Sequence, residues 1–238
     1  MSLAWLSQTS LAATIIASGF GTFLAVTPPN PNTDTTAPRT GDTIRRLMIT
    51  TPYFTRVVSA PVGILCLHKA ALAYTYPNIP DSLLGYGREN GLDMALATWS
   101  VSTAVPLGLI FSGVYLRLVA YATLDKNFTF SLAKPSVLTT TGIYRHVQHP
   151  SYTALVLLAA GLIGLLARRD SVVGCWTPPA VFRLLHAWRA VLVPFACALG
   201  LTGIWTRVRE EERMLKAAFG PKWESWHART ARFVPWVF

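Results

Sequence analysis

The sequence predicts an all-α, polytopic integral membrane protein: about five transmembrane helices followed by an amphipathic helix on the cytosolic side. Three observations carry this. Hydrophobic residues make up 52% of the 238-residue chain and charged residues only 13%, about half the charged share of a soluble domain. The apolar residues collect in long runs of membrane-spanning character. The basic residues, which give a net charge of +10, flank those runs and form no separate basic domain. Lipid headgroups and topology therefore account for them, and nucleic acid does not.

The elements follow in order. The first apolar segment covers about Leu3–Val26, with no charge before Asp34. It lacks the basic start of a cleaved signal peptide, so a retained first membrane helix is expected. The loop "TPPNPNTDTTAPRTGD" behind it is too rich in Pro, Asn and Thr to be helical. The second segment spans about Thr55–Tyr76, interrupted by His68 and Lys69. The third runs from about Leu92 to Leu124, long enough to cross with a tilt or a kink at Pro106. The fourth, Ser151–Ala167, and the fifth, about Trp188–Thr206, are short against the roughly 20 residues a span needs. They are expected to form a hairpin leaning on neighbouring helices. The chain thus divides into residues 1–124, with three spans, and 125–238, with the hairpin and tail.

Charge sets the expected orientation. Arg39, Arg45, Arg46 and Arg56 crowd the first connection, and Lys126, Lys134 and Arg145 follow the third segment. Arg207, Arg209, Arg213, Lys216, Lys222, Arg229 and Arg232 fill the tail. The second connection holds Arg88 against Asp81, Glu89 and Asp93. The positive-inside rule then puts the N-terminus outside and the tail in the cytosol, with Arg168 and Arg169 opposing.

Several chemistries are absent. Cys66, Cys175 and Cys197 lie in or beside apolar runs without metal-type spacing and read as free thiols. His146 and His149 have no carboxylate near them in sequence, so no metal is expected. "GFGTFL" follows no strand and is not a phosphate loop. Trp223, Trp226 and Trp236 read most simply as interfacial anchors, and equally as walls of a lipid-tail groove.

Two stretches hold polar chemistry against apolar runs. In "GIYRHVQHPSY", Pro150 suits the first position of a helix because its missing N–H has no partner there anyway, and His149 then falls near the N-cap. A helix start leaves backbone N–H groups unpaired at the positive end of the dipole, and these bind a carboxylate or phosphate. From this stretch alone the plainer reading is a helix start with an interfacial tyrosine. In "RVREEERMLKAAFG", an amphipathic helix stopped by Gly220 and Pro221, Arg207, Glu211, Leu215 and Ala218 share a face. Because it continues from the fifth segment, Arg207 and Glu211 lie at or just below membrane depth, where ionisable groups are costly unless they serve a site.

"TTTGIYRHVQHPSYTA", a helical hairpin, and "RVREEERMLKAAFGPKWESWHARTARFVPWVF" together resemble the isoprenylcysteine carboxyl methyltransferase family, over roughly residues 125–238. The resemblance implies a multi-pass enzyme of the endoplasmic reticulum membrane with its C-terminus in the cytosol. It would use S-adenosylmethionine to methylate the C-terminal carboxylate of prenylated cysteine in proteins, with membrane lipids as its other partners. It implies that Ser136, Val137, Leu138, Thr139, Tyr144, His149, Pro150, Ser151 and Tyr152 line the cofactor pocket. Glu211 would hold the cofactor, Glu212 would complete a pair of glutamates, and Arg207 would face the substrate carboxylate as the catalytic residue. Gln148 stands where the family usually has arginine, and Ala154 where it has glycine. The other readings are a methyltransferase for a phospholipid amine or a small terpenoid acid, a sterol reductase of related architecture, and a non-catalytic membrane scaffold.

Overall fold

The computed structural model describes residues 3–30, 43, 52–130, 132–168 and 170–235. Among these the chain is helix, turn and loop, with one isolated parallel bridge between Val147 and Ala231. The main helices are α1 (Leu3–Val26), α2 (Pro52–Thr75), α3 (Val101–Leu124), α4 (Pro150–Leu166), α5 (Pro179–Ala187), α6 (Arg189–Phe219) and α7 (Pro221–His227). At about 1.5 Å per residue, the 24 residues each of α1, α2 and α3 exceed the roughly 30 Å of a bilayer's hydrocarbon core. With α6 they form four helices long and apolar enough to cross a membrane, and α4 is a shorter apolar helix. The protein is a polytopic membrane protein.

Local chemistry explains where these helices start and stop, and it corrects two expectations. The third helix begins at Val101, well inside the apolar run that opens near Leu92. Asp93 accepts from the Ala95 amide at 2.9 Å and caps a short 3-10 turn, Met94–Ala97. The Ser100 amide then donates to Thr103 Oγ1 at 2.9 Å, a side-chain cap that sets a fresh helix start. The second correction concerns the hairpin. Residues 189–203 are exposed at every position, so none of this half of α6 is buried among the described residues. A helix apolar on all sides is what lipid solvates. Downstream, α6 runs unbroken into the charged tail and stops at Gly220, whose φ of 49° favours glycine. Pro221 opens α7, where its missing N–H is harmless. Arg39, Arg45, Arg46, Arg169, Trp236 and most of the first loop lie outside the described residues.

The chain divides into two compact units. The first comprises residues 1–24, 58–114 and 156–194. In it α3 and α4 approach closely: a Cβ on Gly161 would stand 2.7 Å from both Pro106 O and Ile110 Cγ1. Lys69 is buried there and donates to Ser171 Oγ at 3.2 Å. Gly161→Ala is therefore expected to destabilise by about 1–3 kcal/mol, the usual cost of overpacking. Gly63, where an added Cβ meets nothing within 4 Å, is the control. A lower Tm in detergent for Gly161→Ala, and not for Gly63→Ala, is the outcome to look for; equal Tm values would contradict the close approach.

The second unit comprises residues 25–57, 115–155 and 195–238. Its core joins Ala120, Leu138, Tyr144, Leu215, Trp223 and Trp226. Trp223 and Trp226 are thus buried, which corrects their reading as interfacial anchors. Trp226 Nε1 donates to Tyr144 O at 2.9 Å, and Trp223 stacks on His227 with ring centroids 4.4 Å apart.

Candidate functional site

The second unit holds an open-mouthed cavity of about 230 Å³. Its floor and walls come from the end of α3, the loop 127–139, the turn at Tyr144, the first turns of α4 and the middle of α6. Proline at position 150 starts α4, and this start presents His149, Ser151 and Tyr152 to the cavity. On α6, Arg207, Glu211 and Leu215 recur at four-residue spacing and therefore project from one face into the same space. Ala218, expected on that face, is half-buried and off the cavity.

Of the residues singled out in the sequence, Val137, Leu138, Thr139, Tyr144, His149, Ser151, Tyr152, Arg207 and Glu211 all line this cavity. Ser136 and Pro150 do not. Ser136 is exposed, with its amide and hydroxyl both donating to Asn127 Oδ1, at 3.2 and 3.1 Å. Pro150 is fully buried behind the wall. Arg117, Phe128, Phe130 and Met214 also line the cavity, and the motif reading had passed over them. One signal was there: Arg117 is the single charged side chain in the whole of α3.

A network ties the two helices. The Tyr152 hydroxyl donates to Glu211 Oε2 at 2.9 Å and also interacts with Arg207. Arg207 Nη2 donates to Phe130 O at 2.7 Å. The His149 ring sits between two carboxylates, with Nδ1 3.8 Å from Glu211 Oε2 and Nε2 3.6 Å from Glu212 Oε1. Those separations exceed hydrogen-bond length, and Nε2 is buried without a hydrogen bond among the described residues. Glu212 takes a direct bond from Arg232 Nε at 2.8 Å. Tyr144 closes one side. Burial first, and the Glu211 carboxylate second, push its hydroxyl well above the ordinary tyrosine range, so it stays a neutral phenol.

The residues that lead into α4 meet the C-terminal tail. A free helix N-terminus would offer its amides to an anion. The two amides just ahead of this helix are taken by the tail: Gln148 N donates to Ala231 O and His149 N to Arg232 O, both at 2.8 Å. Thr153 Oγ1 donates to Phe233 O at 2.8 Å. Gln148, where the resemblance leads one to expect arginine, is buried and committed to the same tail. Its Nε2 donates to the carbonyls of His227 and Thr230. Its Oε1 lies 2.7 Å from His227 Nδ1; an amide oxygen only accepts, so the imidazole donates. Burial lowers the His227 pKa from its ordinary value, in keeping with a neutral ring. The amides of residues 148 and 149 are therefore unavailable to a carboxylate ligand, for the physical reason that carbonyls of the chain's own tail have taken them.

Chemically, the cavity offers one carboxylate, Glu211, against two guanidinium groups, Arg117 and Arg207, among largely apolar walls. Such a set can hold a ligand carrying both a positive and a carboxylate group, with a hydrophobic part beside them. Among the described residues no three His, Cys, Asp or Glu side chains gather as a metal site. No curated protein and no solved structure matches the chain significantly. A family model does: residues 106–189 match that of the isoprenylcysteine carboxyl methyltransferase (ICMT) family. What the chain is similar to is therefore this methyltransferase family, over a stretch that carries Arg117 and His149–Tyr152 and ends before Arg207 and Glu211.

Proposed function

We propose that this protein methylates the C-terminal carboxylate of a prenylated cysteine, with S-adenosylmethionine as methyl donor, at the cytosolic face of the endoplasmic reticulum membrane. The observation that supports this reading most is the convergence of Arg207, Glu211, Tyr152 and His149 on one cavity at the ends of membrane helices. The residues present suit such a donor: a lone carboxylate for its positive groups, a phenol beside it, and the aromatic and aliphatic walls of Tyr144, Trp226, Leu138 and Leu215 for a base. S-adenosylmethionine, when bound, supplies a methyl group carried on a positively charged sulfur.

What the chain must do is limited. A C-terminal carboxylate ionises well below pH 7, so no general base is required, and none is assigned. Glu211, oriented by Tyr152, holds the donor, with Val137, Leu138, Thr139, Tyr144, His149 and Ser151 around it. Ser136 and Pro150 support this wall from outside, one by fixing the loop through Asn127 and the other by starting α4. Arg207 orients the acceptor carboxylate, its planar fork matching two oxygens at once. Alignment and exclusion of water then make up the catalytic contribution. The apolar tail of the acceptor is accommodated by lipid-facing surface, which suits a cavity at helix ends.

The test is transfer of labelled methyl from S-adenosylmethionine by the purified protein in lipid nanodiscs. One arm offers an S-farnesyl cysteine with a free carboxylate, a second its methyl ester, a third phosphatidylethanolamine. Base-labile label on the free acid alone is the expected result. Label on phosphatidylethanolamine alone would replace this acceptor with a lipid amine, and no label on any would leave the reading without an enzyme.

A further inference from the structure

Arg117 carries a charge that the fold has not neutralised. It is the one charged residue of α3 and only 5% exposed. Two of its three nitrogens are spoken for. Nε donates to Ala25 O and to the Tyr121 hydroxyl, both at 2.9 Å. Nη1 donates to Ser151 O at 3.1 Å and to Ser151 Oγ. The guanidinium carbon lies over three rings, 5.2 Å from Tyr121, 5.7 Å from Phe128 and 5.3 Å from Phe130. Those contacts hold the plane of the group still, by hydrogen bonds at one edge and cation–π attraction at its face. Nη2 makes no hydrogen bond among the described residues, on a side chain that lines the cavity. Nor does any described Asp or Glu come within ion-pair distance of Arg117.

A structural duty explains part of this. The end of α1 leaves carbonyls without helical partners, and Arg117 satisfies that of Ala25. That duty does not require a full charge, and a buried cation with no counter-ion is costly. Among the described residues the cavity it faces has a single carboxylate, Glu211, already bonded to Tyr152. Just ahead of α4, the amides of residues 148 and 149 are already bonded to the tail.

We propose that Arg117 is a second carboxylate-binding residue of this cavity, separate from Arg207, presenting Nη2 to the ligand. The two arginines meet at Phe130, whose ring faces Arg117 and whose carbonyl takes the bond from Arg207. The proposal rests on the methyl-transfer reading, which brings two carboxylates to the cavity: that of the donor's amino-acid end and that of the acceptor. Arg117 binds one of them.

The test compares ligands with and without the carboxylate on the same protein, so that a general loosening of the cavity cancels. Calorimetry measures S-adenosylhomocysteine against its decarboxylated analogue, and S-farnesyl cysteine against its methyl ester. Wild type, Arg117→Gln and Arg117→Lys are compared, with Tm as the check on folding. A charge-assisted hydrogen bond corresponds to a preference of roughly 10- to 150-fold for the ligand that keeps its carboxylate. That preference is expected in wild type, partly kept in Arg117→Lys and lost in Arg117→Gln. Loss in the first ligand pair supports the proposal with the donor as source; loss in the second supports it with the acceptor as source. Preferences unchanged in both pairs overturn it and leave Arg117 as the cap of α1. A wild-type protein that binds no S-adenosylhomocysteine overturns instead the methyl-transfer reading on which the proposal stands.

Discussion

Arg207→Ala is expected to lower methylation of an S-farnesyl cysteine by roughly 30- to several-thousand-fold while leaving S-adenosylhomocysteine affinity within a few-fold. Removing one partner of a buried, hydrogen-bonded charge pair costs about 2–5 kcal/mol, and Arg207 is only 6% exposed. Its position fits the role: one turn before Glu211 on the same face of α6, with Tyr152 between them. It also has a structural bond, Nη2 to Phe130 O at 2.7 Å, so part of any loss could come from release of that loop. Arg207→Lys separates the two effects. A lysine keeps the charge and can donate to one carbonyl, but it lacks the fork that grips two oxygens. Partial recovery of rate with intact donor binding supports acceptor orientation. Near-normal turnover in Arg207→Ala would make Arg207 a topology charge.

Glu211→Gln is expected to weaken binding of S-adenosylmethionine by roughly 10- to 150-fold, the worth of a charge-assisted hydrogen bond. Among the described residues Glu211 is the only carboxylate lining a cavity that also holds Arg117 and Arg207, so the substitution leaves that lining with positive charge alone. A donor whose reactive end is cationic would be repelled. The amide oxygen of glutamine can still accept from the Tyr152 hydroxyl, so the local fold is retained and the loss reports charge. Calorimetry in detergent measures it. An unchanged affinity would move the role to Glu212, although Arg232 already occupies that carboxylate at 2.8 Å.

The helices themselves were legible because their causes are local. Apolar runs of span length, Pro150 at a helix start and Gly220 at a helix end each act within a few residues. The face shared by Arg207, Glu211 and Leu215 follows from 3.6 residues per turn, and the cavity uses that face. Even Arg117 was within reach, since a lone arginine in an apolar helix is a signal by cost alone. The beginning of α3 was harder, because the Asp93 and Thr103 side chains set short-range caps inside a run that hydropathy alone reads as continuous.

Other features depend on which parts of the chain meet. The amides of Gln148 and His149, just ahead of α4, and the Thr153 hydroxyl find partners that no local rule supplies, in residues 231–233, more than 75 positions away. Gln148 read as a missing charge, yet its amide bridges to His227 and Thr230 across a comparable separation. Trp223 and Trp226 read as surface anchors until α7 placed them against Tyr144. The sequence by itself determined the apolar helices, the Pro150 start and Gly220 stop, and the face shared by Arg207, Glu211 and Leu215. Tertiary structure alone decided which offered groups are consumed by the chain and which remain for a ligand, because hydrogen bonds form in space and periodicity runs only along the chain.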